Sequence, residues 1–156
     1  MLKHGGATTR TTVPVSAGLL NDTESYFDAL TAYRNGDPSE IVNRFADAAF
    51  AAIGNGRELA QDLLGCYEAW SSAIKARRTA TVWRVLPTLL SQPAITSVLI
   101  QEATGISQPA ADNVISQLRD AGIVTKAAGA QRYVVWVASD VTRALDDFAE
   151  RARRRP

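Results

Sequence analysis

Apolar residues recur at helical spacing through most of the first half of the chain, then break into short groups with changing periods in the second half. Ile41, Phe45, Ala48, Ala52, Leu59, Leu63, Tyr67, Trp70 and Ile74 lie at about the 3.6-residue period of an α-helix. The stripe predicts one long helix over about 38–75, packed on neighbouring helices. Gly54-Asn55-Gly56 falls within it. Each glycine there costs roughly 1 kcal/mol relative to alanine, so a kink or short break fits at that point. Upstream, Asp22 or Thr23 is suited to cap a helix running to about Arg34. Asn35-Gly36 ends it, because both residues accept left-handed backbone angles. Asp37-Pro38 restarts a helix, with Asp as N-cap and Pro in the first turn. Residues 1–21 are rich in Gly and Thr and lack a helical period, which predicts an extended arm.

From Arg77-Arg78-Thr79 onward the elements shorten. A helix starting at Thr79 or Thr81 would bury Val82, Val85, Leu86, Leu89 and Leu90, with Pro87 introducing a kink. Ser91-Gln92-Pro93 stops it. A second short helix is expected over Ser97 to Thr104, with Val98, Leu99 and Ala103 inward. Gly105 follows. Ser107 is then the N-cap of a third helix from about Gln108 to Ala121, whose inner face is Ala111, Val114 or Ile115, and Leu118. Gly122 closes it in the left-handed conformation. Ile123-Val124-Thr125 and Arg132 to Val137 are β-branched and aromatic and read as strands, joined by a turn at Ala128-Gly129-Ala130. Ser139-Asp140 caps a last helix from Val141 to about Arg151, and the arginine-rich end beyond it is expected to fray.

Three helices followed by a two-stranded hairpin is the order of a winged helix-turn-helix. In that arrangement a short turn sets the third helix steeply across the second, so that it enters a major groove about 12 Å wide. The exposed polar residues of that helix are Ser107, Gln108, Asp112, Asn113, Ser116 and Gln117. Gln108, Asn113 and Gln117 have the donors and acceptors to bond base edges. The hairpin would bring Lys126, Gln131 and Arg132 to backbone phosphates. Arg119 is the one cation on the third helix, against Asp112 and Asp120. That balance is thin for a partner whose affinity depends on phosphate neutralisation, and winged helices also serve as protein-binding modules.

Charge sharpens the division. The net charge is +1, but residues 1–74 hold five Lys or Arg against nine Asp or Glu, and residues 75–156 hold twelve against seven. A basic second half favours an anionic partner for that half. Apolar residues make up 46% of the chain and charged residues 21%, as in ordinary globular proteins. No apolar run reaches the roughly 18 residues of a membrane span, and Met1 to Arg10 contains no signal-type apolar core. One cysteine, Cys66, cannot form an internal disulfide, which fits a reducing cytoplasm. With His4 as the single histidine, neither a Cys/His zinc cluster nor a Ser-His-Asp set is available. Asp146 and Asp147 are sequence neighbours that point apart on a helix, as a solvated face does.

Certain runs resemble a known family. Thr12-Val13-Pro14-Val15-Ser16-Ala17-Gly18-Leu19-Leu20, Tyr26 to Arg34, Gly36-Asp37-Pro38 and Val135-Trp136-Val137-Ala138 resemble Fic-domain proteins of actinobacterial type. The resemblance covers about Thr11 to Arg151. It implies a stretch that follows a catalytic loop, then a long helix leading to a C-terminal winged helix. Such proteins are typically protein adenylyltransferases whose motif reads His-Pro-Phe-x-(Asp/Glu)-Gly-Asn-Gly-Arg. This chain contains Gly54-Asn55-Gly56-Arg57, but Ala49-Phe50-Ala51-Ala52-Ile53 precedes it, so the histidine, proline and acid are absent. The four residues lie inside the apolar stripe and read as coincidence. The chain thus resembles the part of a Fic-type protein that begins after the catalytic loop, and adenylyl transfer is not expected of it.

The resulting expectation is a mainly α chain: an extended arm at 1–21, a helical Fic-type segment at 22–76 with one long helix, and a winged helix-turn-helix with a two-stranded wing at 77–156. It would be cytoplasmic, with no catalytic residues, metal, cofactor, small-molecule substrate or membrane contact. The expected partner is double-stranded DNA, held by Ser107, Gln108, Asn113, Ser116, Gln117, Arg119, Lys126, Gln131 and Arg132, with a role in transcription regulation. The alternative is a protein-interaction or dimerisation module. Leu19, Leu20, Tyr26, Phe27 and Phe45 would then offer apolar surface for self-association through the N-terminal helices.

Overall fold

The computed structural model describes residues 15–19, 22–128 and 134–153. The chain is mainly helical, with a small three-stranded antiparallel sheet. It divides into two compact units, Met1–Leu59 with Asp147–Pro156, and Ala60–Asp146.

The first unit contains helix α1 (Val15–Leu19), helix α2 (Thr23–Arg34) and the leading part of helix α3 (Ser39–Ala73). Within the arm expected to be extended, Val15–Leu19 forms a helical turn instead. The sequence from Val15 to Leu19 contains no proline and so retains every backbone N–H that a turn needs. The rest of that arm lies outside the described residues. Asp22 caps α2 by accepting a hydrogen bond from Ser25 N at 3.1 Å. Gly36, at φ 97°, terminates it. Gly36 N donates to Tyr33 O at 3.1 Å and Asp37 N to Ala32 O at 3.0 Å, which satisfies two carbonyls of the last turn. Asp37 then accepts from Ser39 N at 2.9 Å and opens α3. That bond and a second from the Ser39 side chain favour the charged carboxylate, so the Asp37 carboxyl sits below its ordinary 3.8.

Helix α3 runs unbroken through Gly54-Asn55-Gly56, where the sequence admits a kink. Burial along the expected stripe falls on Ala48, Ala52, Trp70 and Ile74, while Phe45 is exposed. The Phe45 and Tyr26 rings meet edge to face, with centroids 6.5 Å apart. Phe27 and Phe50 are 62% and 74% exposed. The end of helix α7 (Ser139–Arg153) is tied to α3 within this unit. Asn55 Nδ2 donates to Phe148 O at 3.1 Å, and Arg151 Nε donates to Asn55 Oδ1 at 2.8 Å and pairs with Glu58 at 3.1 Å. Helix α7 continues to Arg153, past its expected end at about Arg151, and the rest of the arginine-rich end lies outside the described residues.

The second unit holds the main core. Helix α4 (Val82–Ser91) buries Val82, Val85, Leu86 and Leu89 and runs through Pro87, whose side chain is exposed. Strand β1 (Ala94–Ile95) leads to helix α5 (Ser97–Thr104), a turn, helix α6 (Gln108–Asp120), strand β2 (Thr125–Lys126) and strand β3 (Trp136–Val137). The sheet order is β1-β3-β2, all antiparallel, with Ala94 and Thr125 both opposite Val137 and Ile95 and Lys126 both opposite Trp136. The two-stranded expectation therefore lacked β1. Two residues are too few to display a period of two, and Ile95 is recognisable as a strand residue by its pairing alone. Pairing extends past the ladder on both sides, through Ala138 N to Pro93 O at 2.8 Å and Ala127 N to Val135 O at 2.9 Å.

Two further expectations change. Val98 and Ala103 were expected inward on α5, but both are exposed, and Ile100 and Thr104 are buried. Thr96 caps α5 by accepting from Leu99 N at 3.2 Å, and buried Ile95 just before it fixes the phase, so the i, i+4 pair Ile100 and Thr104 faces the core. Ile123 and Val124 are buried but lie before the ladder, which begins at Thr125. Ile123 N is already used: it donates to Leu118 O at 2.9 Å, while Gly122 N donates to Arg119 O at 2.9 Å. Gly122, at φ 74°, makes this reversal possible. Ala111, Val114, Ile115 and Leu118 form the buried face of α6, so both of the alternatives Val114 and Ile115 are inward. They pack in one cluster with Trp70, Ile74, Leu86, Leu89, Ile95 and Ile100. Fully buried leucines and isoleucines of this kind each contribute roughly 1.5–3 kcal/mol.

Candidate nucleic-acid interface

The site is built on α6, and α6 is placed by what precedes it. Gly105 adopts φ 73° and its N–H donates to Gln101 O at 2.7 Å, which ends α5 within one residue. Arg84 Nη2 donates to Thr104 O at 3.1 Å, so a second carbonyl at that helix end is satisfied by a cation from α4. Gly105, Ile106 and Ser107 then connect α5 to α6. Ser107 occupies the N-cap position with extended backbone but makes no side-chain cap bond. Its hydroxyl stays on the surface beside the first-turn amides of α6.

Gln108, Asp112, Asn113 and Arg119 are exposed on α6, and Ser116 and Gln117 are half-buried. They form three hydrogen-bonded groups. Gln108 Nε2 donates to Asp112 at 3.0 Å and to Ser97 Oγ at 2.9 Å, while Gln101 Nε2 donates to Gln108 Oε1. This cluster joins the starts of α5 and α6. Gln117 Nε2 approaches Asn113 Oδ1 at 3.4 Å, one turn apart. Arg119 donates to Ser116 Oγ at 3.0 Å and pairs with Asp120 at 2.8 Å. The single cation of α6 is thus neutralised by its neighbour, and Asp112 leaves the face slightly acidic.

Lys126 lies on β2, exposed, opposite Trp136 in the ladder. Gln131 and Arg132 lie outside the described residues. Between the start of α5, one side of α6 and β3 runs an open groove of about 700 Å³. Its walls are Val98, Ile115, Val134 and Trp136 with Asp112, Ser116 and Arg119. Sequence reasoning missed Val98 and Trp136 here, having assigned the first to the core and the second to a strand with no stated face. The alternation of a strand offers the signal for Trp136. For Val98 there was none, because its exposure follows from the helix phase.

Gly54-Asn55-Gly56-Arg57 is helical, so its backbone N–H groups serve the helix ladder of α3 rather than a phosphate-cradling loop. Cys66 is half-buried. Desolvation pushes its thiol above the ordinary 9.0, and the negative charges of Asp140 and Asp62 add to this. Among the described residues, no group of three or more His, Cys, Asp or Glu is placed to hold a metal ion. Among the same residues, no helix is long and apolar enough to cross a membrane. No protein-family model matches the chain, and no curated protein matches it.

Proposed function

We propose that the segment from α4 to β3 is a winged helix-turn-helix that binds double-stranded DNA, with α6 in the major groove and the β2–β3 hairpin as the wing. One observation carries the reading: the order α4-β1-α5-α6-β2-β3, with β1 and β2 on either side of β3 and a Gly105-centred turn between α5 and α6. That order leaves one whole face of α6 outward, carrying Gln108, Asn113 and Gln117 within reach of base edges. Ser107 and the first-turn amides of α6 would meet phosphate, as would Lys126. Ser116 and Arg119 complete the face.

On this reading the chain is a non-catalytic, cytoplasmic, Fic-like regulator of transcription. The resemblance of its helical segment to Fic proteins supports the second half of that description. The missing histidine, proline and acid of the Fic motif support the first. The test is a fluorescence-anisotropy titration of labelled duplexes with the full chain at low salt. Saturable binding that weakens steeply between roughly 50 and 200 mM salt is expected. Absence of binding to a mixed-sequence duplex pool at low salt would refute the proposal.

A protein-interaction module is the second reading. It is favoured by the Arg119–Asp120 pair, which offsets the one positive charge of α6, and by the exposed rings of Phe27, Phe45 and Phe50. An association that persists at high salt, with no duplex binding, would select it.

A further inference from the structure

We propose that Lys75, Arg77 and Arg78 form a second phosphate-contacting element, which meets the DNA backbone on the side of α6 away from the hairpin. The inference rests on the DNA-binding reading above. At 100° per residue, the outward arc of α6 has two flanks. Asp112, Ser116 and Arg119 border the groove that leads to β3. Gln117, Asp120 and Ala121 border a smaller cleft of about 290 Å³, whose other wall is Ala73, Ile74, Lys75 and Ala76. The outward face of α6 therefore lies between the hairpin side and the basic segment that follows α3.

A helix about 10–12 Å across fills a major groove about 12 Å wide, so one phosphate strand must pass on each flank. The hairpin flank has Lys126. The opposite flank has Lys75, with Arg77 and Arg78 next in the chain, all exposed. None of the three is in an ion pair among the described residues. Other cations of the same unit are engaged: Arg119 with Asp120, Arg143 with Asp140, and Arg84 with Thr104 O. Asp120, the acid in the cleft, is already held by Arg119.

The segment is also held in place before any ligand arrives. Trp83 Nε1 donates to Arg77 O at 2.8 Å, and the Arg78 guanidinium stacks over the Trp83 ring at 5.0 Å. Ala80 N donates to Arg77 O at 2.8 Å and closes the turn. Stacking occupies one face of the guanidinium and leaves its in-plane N–H groups able to donate to a phosphate oxygen. Ordering this backbone in advance lowers the entropy cost of binding.

The experiment compares the salt dependence of duplex binding by the full chain and by two variants, K75Q/R77Q and K75Q/R77Q/R78Q. The first leaves the Arg78–Trp83 stack intact, and circular dichroism verifies that both are folded. Each phosphate contact contributes roughly 0.9 to the slope of log affinity against log salt. The expected slopes are shallower by roughly 2 and 3, with equal weakening on duplexes of different sequence. Wild-type binding with slopes unchanged in both variants would overturn the second element and leave the DNA reading standing. No salt-dependent duplex binding by the wild type would overturn both.

Discussion

Replacing Gly122 with alanine isolates backbone strain, because a methyl group added at this position meets nothing within 4 Å. Gly122 sits at φ 74°, where a Cβ costs about 1–2 kcal/mol. Alanine also stiffens the unfolded chain, which offsets about 0.4–1 kcal/mol. The net expectation for Gly122→Ala is a loss of about 1 kcal/mol. The same exchange at Gly54 has the opposite sign. That residue lies inside α3, outside the positive-φ set, and again has nothing within 4 Å of an added methyl. Gly54→Ala should therefore stabilise α3 by about 0.5–1 kcal/mol.

The two effects can be read separately. The three tryptophans, Trp70, Trp83 and Trp136, all belong to the unit Ala60–Asp146, so their fluorescence follows that unit in a urea titration. Far-ultraviolet circular dichroism follows helix in both units. For a unit of this size, 1 kcal/mol moves a thermal midpoint by about 4–8 °C. Gly122→Ala should lower the fluorescence midpoint, and Gly122→Asn should recover part of the loss, since asparagine tolerates the left-handed region. Gly54→Ala should raise the dichroism midpoint. An unchanged or raised fluorescence midpoint for Gly122→Ala, or a destabilising Gly54→Ala, would show that φ does not decide these positions.

Leu118→Ala should cost about 2–5 kcal/mol, because the side chain is fully buried between α6 and the core, and urea unfolding measures it. Asp37 has a folded carboxyl pKa below 3.8, so the cap it provides is present above the unfolded pKa and lost as pH falls through the folded one. The protection of the Ser39 amide against exchange, relative to its intrinsic rate at each pH, should fall in that acidic window, and Asp37→Ala should remove this pH dependence of the protection. Burial holds the Cys66 thiol protonated past 9.0, so the stability this provides is present below the unfolded pKa and lost as pH rises through the folded one. Alkylation of Cys66 should be slower in the folded chain than in urea at the same alkaline pH, and equal rates would contradict the burial argument.

The elements easiest to find in the sequence were those with strong local chemistry. Asp22, Asp37, Gly105 and Gly122 mark helix ends through side-chain caps or left-handed angles, and each marks one here. The inner face of α6 was legible in Ala111 and Leu118 for the same reason, while the choice between Val114 and Ile115 was left open and both are buried. Strand β1 was not legible, since its two residues carry no period and owe their extended form to β3. The phase of α5 was misread because Val98, Ile100 and Ala103 are all apolar, and periodicity alone cannot choose among them. As for the candidate site, its polar residues were visible on the exposed side of α6, but their partners were not. That Arg119 is spent on Asp120, or that Lys75 shares a cleft with Gln117, depends on distances across the fold.

The sequence by itself determined where α2, α5 and α6 begin and end, and which side of α6 is apolar, because capping, turn conformation and amphipathic spacing act over a few residues. Only the tertiary structure decided which half-apolar helix faces are covered, which short segments become strands, and which cations remain unpaired. Those outcomes are settled by contacts between residues far apart in the chain, and such contacts leave no local trace in the order of amino acids.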